Sequence, residues 1–182
     1  ASVIALQNGD LVVTWVSISP QQGDDSGTGI KARIIDASGV EIVPEFLVNE
    51  FIDGDQLNPD VTALQNGGFM VTWENADPAG GESTAIKARI FNADGTEAIP
   101  EFQVADLISN IPSTPSVTGL PDGGSVVSWL SYDPVDGASI KARMFNADGT
   151  PRKTPGYSSE DAPTVIETAE LLANDTDADD DP

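Results

Sequence analysis

Short apolar alternations, punctuated by glycine and Asx turns, recur along this chain, and no helical period competes with them before residue 157. The clearest stretch runs Val61-Thr62-Ala63-Leu64, then Gln65-Asn66-Gly67-Gly68, then Phe69-Met70-Val71-Thr72-Trp73. Side chains alternate across a strand, so Phe69, Val71 and Trp73 share one face and Met70 and Thr72 the other. Asn66-Gly67 between two such runs predicts a tight hairpin with a primed turn, because those residues take positive φ at little cost. A third strand is predicted over 86–91, ending in the turn Asn92-Ala93-Asp94-Gly95. A fourth is predicted at Glu101-Phe102-Gln103-Val104, just past a proline.

The same sentence is written three times. Trp15, Trp73 and Trp129 stand 58 and 56 residues apart, and Ile30-Lys31-Ala32-Arg33 returns at Ile86 and Ile140, offsets of 56 and 54. A period this constant marks one copied supersecondary unit. The predicted fold is all-β: three tandem four-stranded antiparallel repeats, propeller-blade-like or stacked as sheets, over about 1–52, 53–108 and 109–156. An extended acidic tail follows over 157–182. The third copy lacks its fourth strand, since Thr150 leads into Pro151-Arg152-Lys153-Thr154-Pro155. Three blades are too few to close a ring of the usual four to eight. The expectation is an array completed by neighbours or by further parts of a longer parent, since the chain opens inside a repeat.

Composition narrows the chemistry. Of 182 residues, 39% are hydrophobic, enough to build a core, while 30 acids against 8 bases give a net charge of −22. That balance argues against nucleic acid and against anionic membrane surfaces, both of which need clustered cations. No apolar run is long enough for membrane insertion as a helix. Cysteine and histidine are both absent. Thiolate nucleophiles, histidine bases and ordinary zinc sites therefore go together, and an all-oxygen site suited to calcium is what remains.

Six of the eight bases form the repeated Lys-x-Arg: Lys31, Arg33, Lys87, Arg89, Lys141 and Arg143. Alternation puts each pair on one side of its strand. They could grip an acidic polysaccharide, but in so acidic a chain the better account is neutralisation of the repeat's own carboxylates, such as Glu45 and Glu101. The tryptophans share a face with Phe and Val, which predicts core rather than a sugar-stacking platform. Loops between the second and third strands carry Asp24, Asp25, Asp77 and Asp133, candidate calcium or sugar ligands along one edge of the array. In the tail, Asp175, Asp177 and Asp179 alternate so that their oxygens can converge on one Ca²⁺.

The tail sequence Glu160-Asp161-Ala162-Pro163-Thr164-Val165-Ile166-Glu167, continuing through Leu171-Leu172-Ala173-Asn174-Asp175-Thr176-Asp177, resembles the opening of bacterial cadherin-like modules. Those modules occur in tandem in giant secreted adhesins of the RTX and VCBS-repeat type. The resemblance implies calcium held at the joint between modules by Asn174, Asp175, Asp177 and Asp179. Asp179-Asp180-Asp181 stands where the family usually has Asp-Gly-Asp. The body, with its repeated Asn-Gly-Gly-Phe-x-Val-Thr-Trp, resembles a repeat of the same large exported proteins. Together they imply a secreted or cell-surface bacterial parent.

Three functions follow as expectations. The first is a non-enzymatic structural or adhesive array stiffened by calcium, whose partners are other copies of itself or neighbouring modules, assembled through strand addition at open sheet edges. The second is a calcium-dependent lectin-like binder of cell-surface glycans. The third is a carboxylate-based glycoside hydrolase fragment, ranked last because no pair of acids is distinguished by its context.

Overall fold

The computed structural model of the chain describes residues 1–18, 27–76, 84–105, 111–133, 137–152 and 166–167. Within them the alternating runs build three antiparallel sheets. The first consists of β1 (Ser2–Ala5), β2 (Leu11–Ser17), β3 (Gly29–Ile35) and β4 (Glu41–Leu47). The second consists of β5 (Gln56–Ala63), β6 (Phe69–Ala76), β7 (Thr84–Phe91) and β8 (Glu97–Ala105). The third consists of β9 (Ile111–Gly119), β10 (Ser125–Asp133), β11 (Gly137–Phe145) and β12 (Ile166–Glu167). Every strand pairs with its neighbour in sequence, so each sheet is a meander.

Two expectations are corrected here. The third sheet does have a fourth strand: β12 fills the place, with Lys141 opposite Glu167 and Ala142 opposite Ile166. Straight after Thr150, among the described residues, Pro151 bridges to Phe145 and Arg152 N donates to Met144 O at 2.8 Å. The hairpin turns are also not of the primed kind. Gly67 N donates to Leu64 O and Leu64 N donates to Gly68 O, with left-handed φ at Gly67 (88°) and not at Asn66. This is a type I turn followed by a left-handed glycine, one residue longer than a primed turn. Asn66 Oδ1 instead accepts from Gly68 N at 3.0 Å, so its side chain caps the loop. The same backbone pattern recurs at Gly9 and Gly123, and after the third strands at Gly39, Gly95 and Gly149.

The sheets stack face to face in chain order. Val12, Ile30, Ala32 and Ile34 of the first sheet meet Val61, Phe69, Val71, Trp73 and Phe91 of the second. The second sheet's other face, with Met70, Ile86, Ala88 and Ile90, meets Val117, Val127, Trp129 and Phe145 of the third. Each joint therefore sets one sheet's isoleucine–alanine face against the next sheet's tryptophan face. Full burial of each large apolar side chain here is worth roughly 1.5–3 kcal/mol. Rings add orientation: Phe69 stacks on Phe91 at 5.2 Å, and Phe46 of the first sheet tilts against that same Phe91 at 5.4 Å.

The middle sheet is covered on both sides, and all residues of β6 from Phe69 to Asn75 are buried. Trp73 and Trp129 are core, at 0% and 4% exposure. Trp15 is only half-buried. The expectation of three core tryptophans fails there because, among the described residues, no sheet precedes the first.

Candidate functional site

The polar side chains gather at the seams between sheets. Along the edge where β1, β5 and β9 lie side by side, Asp60 accepts from Ser2 Oγ at 2.8 Å through Oδ1. Its Oδ2 accepts from Ser116 Oγ at 3.0 Å and Val117 N at 2.9 Å. One carboxylate thus ties all three sheets together. Nearby, Gly119 of β9 lies so close to the Ala63 carbonyl of β5 that a Cβ would collide with it. Gly119 N donates to Thr62 Oγ1 at 3.0 Å.

A second carboxylate clamps the bulges of β5 and β9. Both strands slip register near Asn58 and Thr114, and both residues are left-handed, with φ of 49° and 47°. For a β-branched threonine that conformation is strained and must be held from outside. Glu74, 7% exposed, supplies the hold. Its Oε1 accepts from Asn58 Nδ2 at 2.9 Å and from Thr114 N.

A buried amide network joins the first two sheets. Asn49 Oδ1 accepts from Ile30 N at 2.8 Å, and Asn49 Nδ2 donates to Gln56 Oε1 at 3.1 Å. Gln56 Nε2 reaches Asp53 O, Gly54 O and Asn75 Oδ1 at 3.2, 3.2 and 3.3 Å. With Gln56 at 0% and Asn49 at 1% exposure, these bonds replace the water that burial removed.

The Lys-x-Arg residues sit on the tryptophan faces. Lys31 pairs with Glu45 at 2.8 Å and Lys87 with Glu101 at 3.2 Å, as neutralisation required. Glu101, whose side chain is 5% exposed, also accepts from Glu50 N and Phe51 N of the chain leaving the first sheet, at 2.8 and 3.2 Å. Arg89 spans the joint as well: it pairs with Glu97 in its own sheet, with Glu50 of the chain leaving the first sheet at 2.8 Å, and donates to Val48 O at 2.8 Å. Arg33 pairs with Glu41 at 3.0 Å and lies 5.8 Å over the Trp15 ring. Lys141 and Arg143 take the equivalent places on the third sheet.

Several carboxyls are held below their ordinary range. The Ser38 hydroxyl does this to Asp36, Thr96 to Asp94 and Thr150 to Asp148, each joined by backbone N–H donors of the same turn. Lys31 lowers Glu45 and Arg89 lowers Glu97. Asp122 is lowered furthest, to about 2, by the two bonds Arg152 donates to its oxygens at 2.7 Å. The same pairing raises Arg152.

Of the eight sequence-predicted ligands, the backbone of one is described. Asp133 ends β10 opposite Gly137. Asp24, Asp25, Asp77, Asn174, Asp175, Asp177 and Asp179 lie outside the described residues. Among the described residues no three acidic side chains are grouped to hold a metal. Asp60, Glu74, Gln56 and Asn49 were missed by reading the repeat. The signal was available as departure from it: Asp60 stands where the other copies have Ser2 and Ser116, and Glu74 where they have Val16 and Leu130.

No family model matches the chain, and no curated protein matches it. Among solved structures, it is similar to a Hadza microbial sialidase at TM-score 0.59 and 12% identity, over 84% of this chain and 37% of that one. It is similar to an alpha-L-arabinofuranosidase from Lactobacillus brevis at TM-score 0.53 and 15% identity, over 86% of this chain and 56% of that one. A fucose lectin from Kordia zhangzhouensis, in complex with methyl-fucoside, overlaps at TM-score 0.44 and 13% identity, over 87% of this chain and 99% of that one, too loosely to bear on the fold. The chain thus spans 37% of the sialidase and 56% of the arabinofuranosidase, and at such identities the likeness is one of fold.

Proposed function

We propose that this chain is a non-enzymatic structural or adhesive module of a larger secreted or cell-surface protein, built like blades of a propeller and working by holding sheet against sheet. The observation that carries it is where the conspicuous polar groups go. Asp60, Glu74, Glu101 and Arg89 are all engaged in joining one sheet to another. A glycosidase needs an acid held above its ordinary range to protonate the leaving group. The carboxyls with shifted acidity among the described residues are shifted the other way.

Calcium belongs to this reading through Asn174, Asp175, Asp177 and Asp179, stiffening the joint to a following module. A thermal melt in Ca²⁺ that EDTA leaves unmoved removes the metal from it. The module itself is tested with aryl sialosides, fucosides and arabinofuranosides, which should release no chromophore. Turnover that Asp60→Asn or Glu74→Gln abolishes would overturn the non-enzymatic reading.

A second reading is glycan binding. It is favoured by the Tyr132 ring, 50% exposed on the third sheet, since an amphipathic aromatic surface suits a sugar face. A broad glycan panel with Ca²⁺ present, showing no binding that Tyr132→Ala weakens, would remove it.

A further inference from the structure

The three copies place the same valine in three surroundings. Val61 is 3% exposed against the first sheet and Val117 is 6% exposed against the second, yet Val3 is 60% exposed. The apolar residues of that face follow suit, whereas Lys31 on the same face, paired with Glu45, is 6% exposed. Leu11, Val13, Trp15 and Ile35 on the first sheet stand where the second has Phe69, Val71, Trp73 and Phe91, all four at 2% exposure or less. The first sheet's residues at those places are only partly buried. The first sheet therefore presents a tryptophan face with no sheet in front of it among the described residues.

The opposite end carries the complement. In β10 and β11, Val126, Leu130, Ile140, Ala142 and Met144 occupy the positions of Met70, Glu74, Ile86, Ala88 and Ile90. In the second sheet Ile86 is fully buried by the third sheet's tryptophan face, whereas Ile140 is 43% exposed and its neighbour Tyr132 is 50% exposed, with Ala142 of β11 at 5%. Val12, Ile30, Ala32 and Ile34 of the first sheet do the same task at the first joint. The two ends of the stack are thus the two halves of a joint that the molecule already makes twice.

We propose that copies of this chain dock head to tail, the tryptophan face of one copy's first sheet packing on the isoleucine–alanine face of another's third sheet. The occupant is a second copy because the internal joints show which surface fits each face, and this chain supplies both. Such an interface is heterologous, so it closes into a ring where the turn per sheet allows and extends where it does not. Two copies bring six sheets, within the four to eight that close a propeller. The contact is between sheet faces. It differs from the strand addition expected from the sequence, which would use sheet edges; the side of β11 that the sequence left open is paired with β12. The inference rests on the sheet-packing reading above, but the glycoside assay is blind to association, so either can fail alone.

The test is light scattering with two face variants. Val3→Asp puts a charge on the exposed head face, and Ile140→Asp puts one on the exposed tail face; both sites are open in the single chain, so circular dichroism and melting should stay near the parent's. The parent's mass should rise with concentration from 19.0 kDa to twice that or beyond. Each variant alone should stay monomeric at concentrations about tenfold higher than those at which the parent associates. An equal mixture of the two should form a one-to-one complex, because each retains the face the other lacks. A parent that stays monomeric, a variant that still self-associates, or a mixture that does not combine overturns the proposal. A folded Ala5→Asp, one residue pair along β1 on the same face, serves if Val3→Asp is poorly soluble.

Discussion

Removing the same two methyl groups from Val61, Val117 and Val3 should have different costs set only by the neighbouring sheet. Val→Ala deletes about 1.6 kcal/mol of transfer free energy, taking roughly 0.8 per carbon. At Val61 and Val117, 3% and 6% exposed, the sheets on either side relax only in part, and the cavity brings the total to about 2–3 kcal/mol. Val3, at 60% exposure, should cost less than about 0.5 kcal/mol. For a chain of this size the first two variants should melt about 5–10 °C lower and the third within a degree or two of the parent. Urea unfolding followed by tryptophan emission suits the comparison, since Trp73 and Trp129 are buried and will report exposure. Dilution to the monomer keeps any association from adding to the Val3 value, and unchanged slopes with urea confirm that only stability moved. Equal losses at all three positions would show that Val3 is covered within one chain. Negligible loss at Val61 would show that the first two sheets do not pack as described.

Three other outcomes follow from the seams and turns. Gly68→Ala would drive a Cβ into the Phe91 carbonyl oxygen, and urea midpoints should register a cost of about 1–3 kcal/mol; a neutral result contradicts the close approach of the β5–β6 turn to β7. Lys87→Met leaves the 5%-exposed Glu101 side chain without its cation, which should cost about 3 kcal/mol, and adding Glu101→Gln should recover part of it. If the second change deepens the loss, the pairing is not the reason for the first. Asp122 is held at about 2 against an ordinary 3.8, so its pairing with Arg152 stabilises the fold above pH 3.8 and fades as pH falls through about 2. Asp122→Asn should therefore be less stable than the parent at pH 5, with the gap shrinking as pH 2 is approached; a gap independent of pH assigns the effect to something other than that charge.

Much of the fold is written locally. Apart from β12, the strands follow from alternation, and the turns from a glycine and a capping Asx within five residues, so four-stranded units could be read from Val61 to Val104 alone. The Lys-x-Arg pairing was legible too, because Lys31 and Lys87 need carboxylates and Glu45 and Glu101 sit at the matching place in the next strand. The turn type was misread because Asn-Gly serves both a two-residue and a three-residue loop, and the closing bond from Leu64 N to Gly68 O decides between them. Asp60 and Glu74 escaped notice because their partners Ser2, Ser116 and Thr114 lie 40 to 58 residues away. No period within one copy points to them.

By itself the sequence determined the units: which residues form strands, where the chain turns, and which side chains share a face. Tertiary structure decided what each face meets. Trp15 and Trp73 occupy the same place in the same local pattern, yet Trp73 is fully buried and Trp15 is not. Strand and turn preferences act over a few residues and are copied with the repeat. Burial depends on a second sheet arriving from elsewhere in the chain, or from another chain.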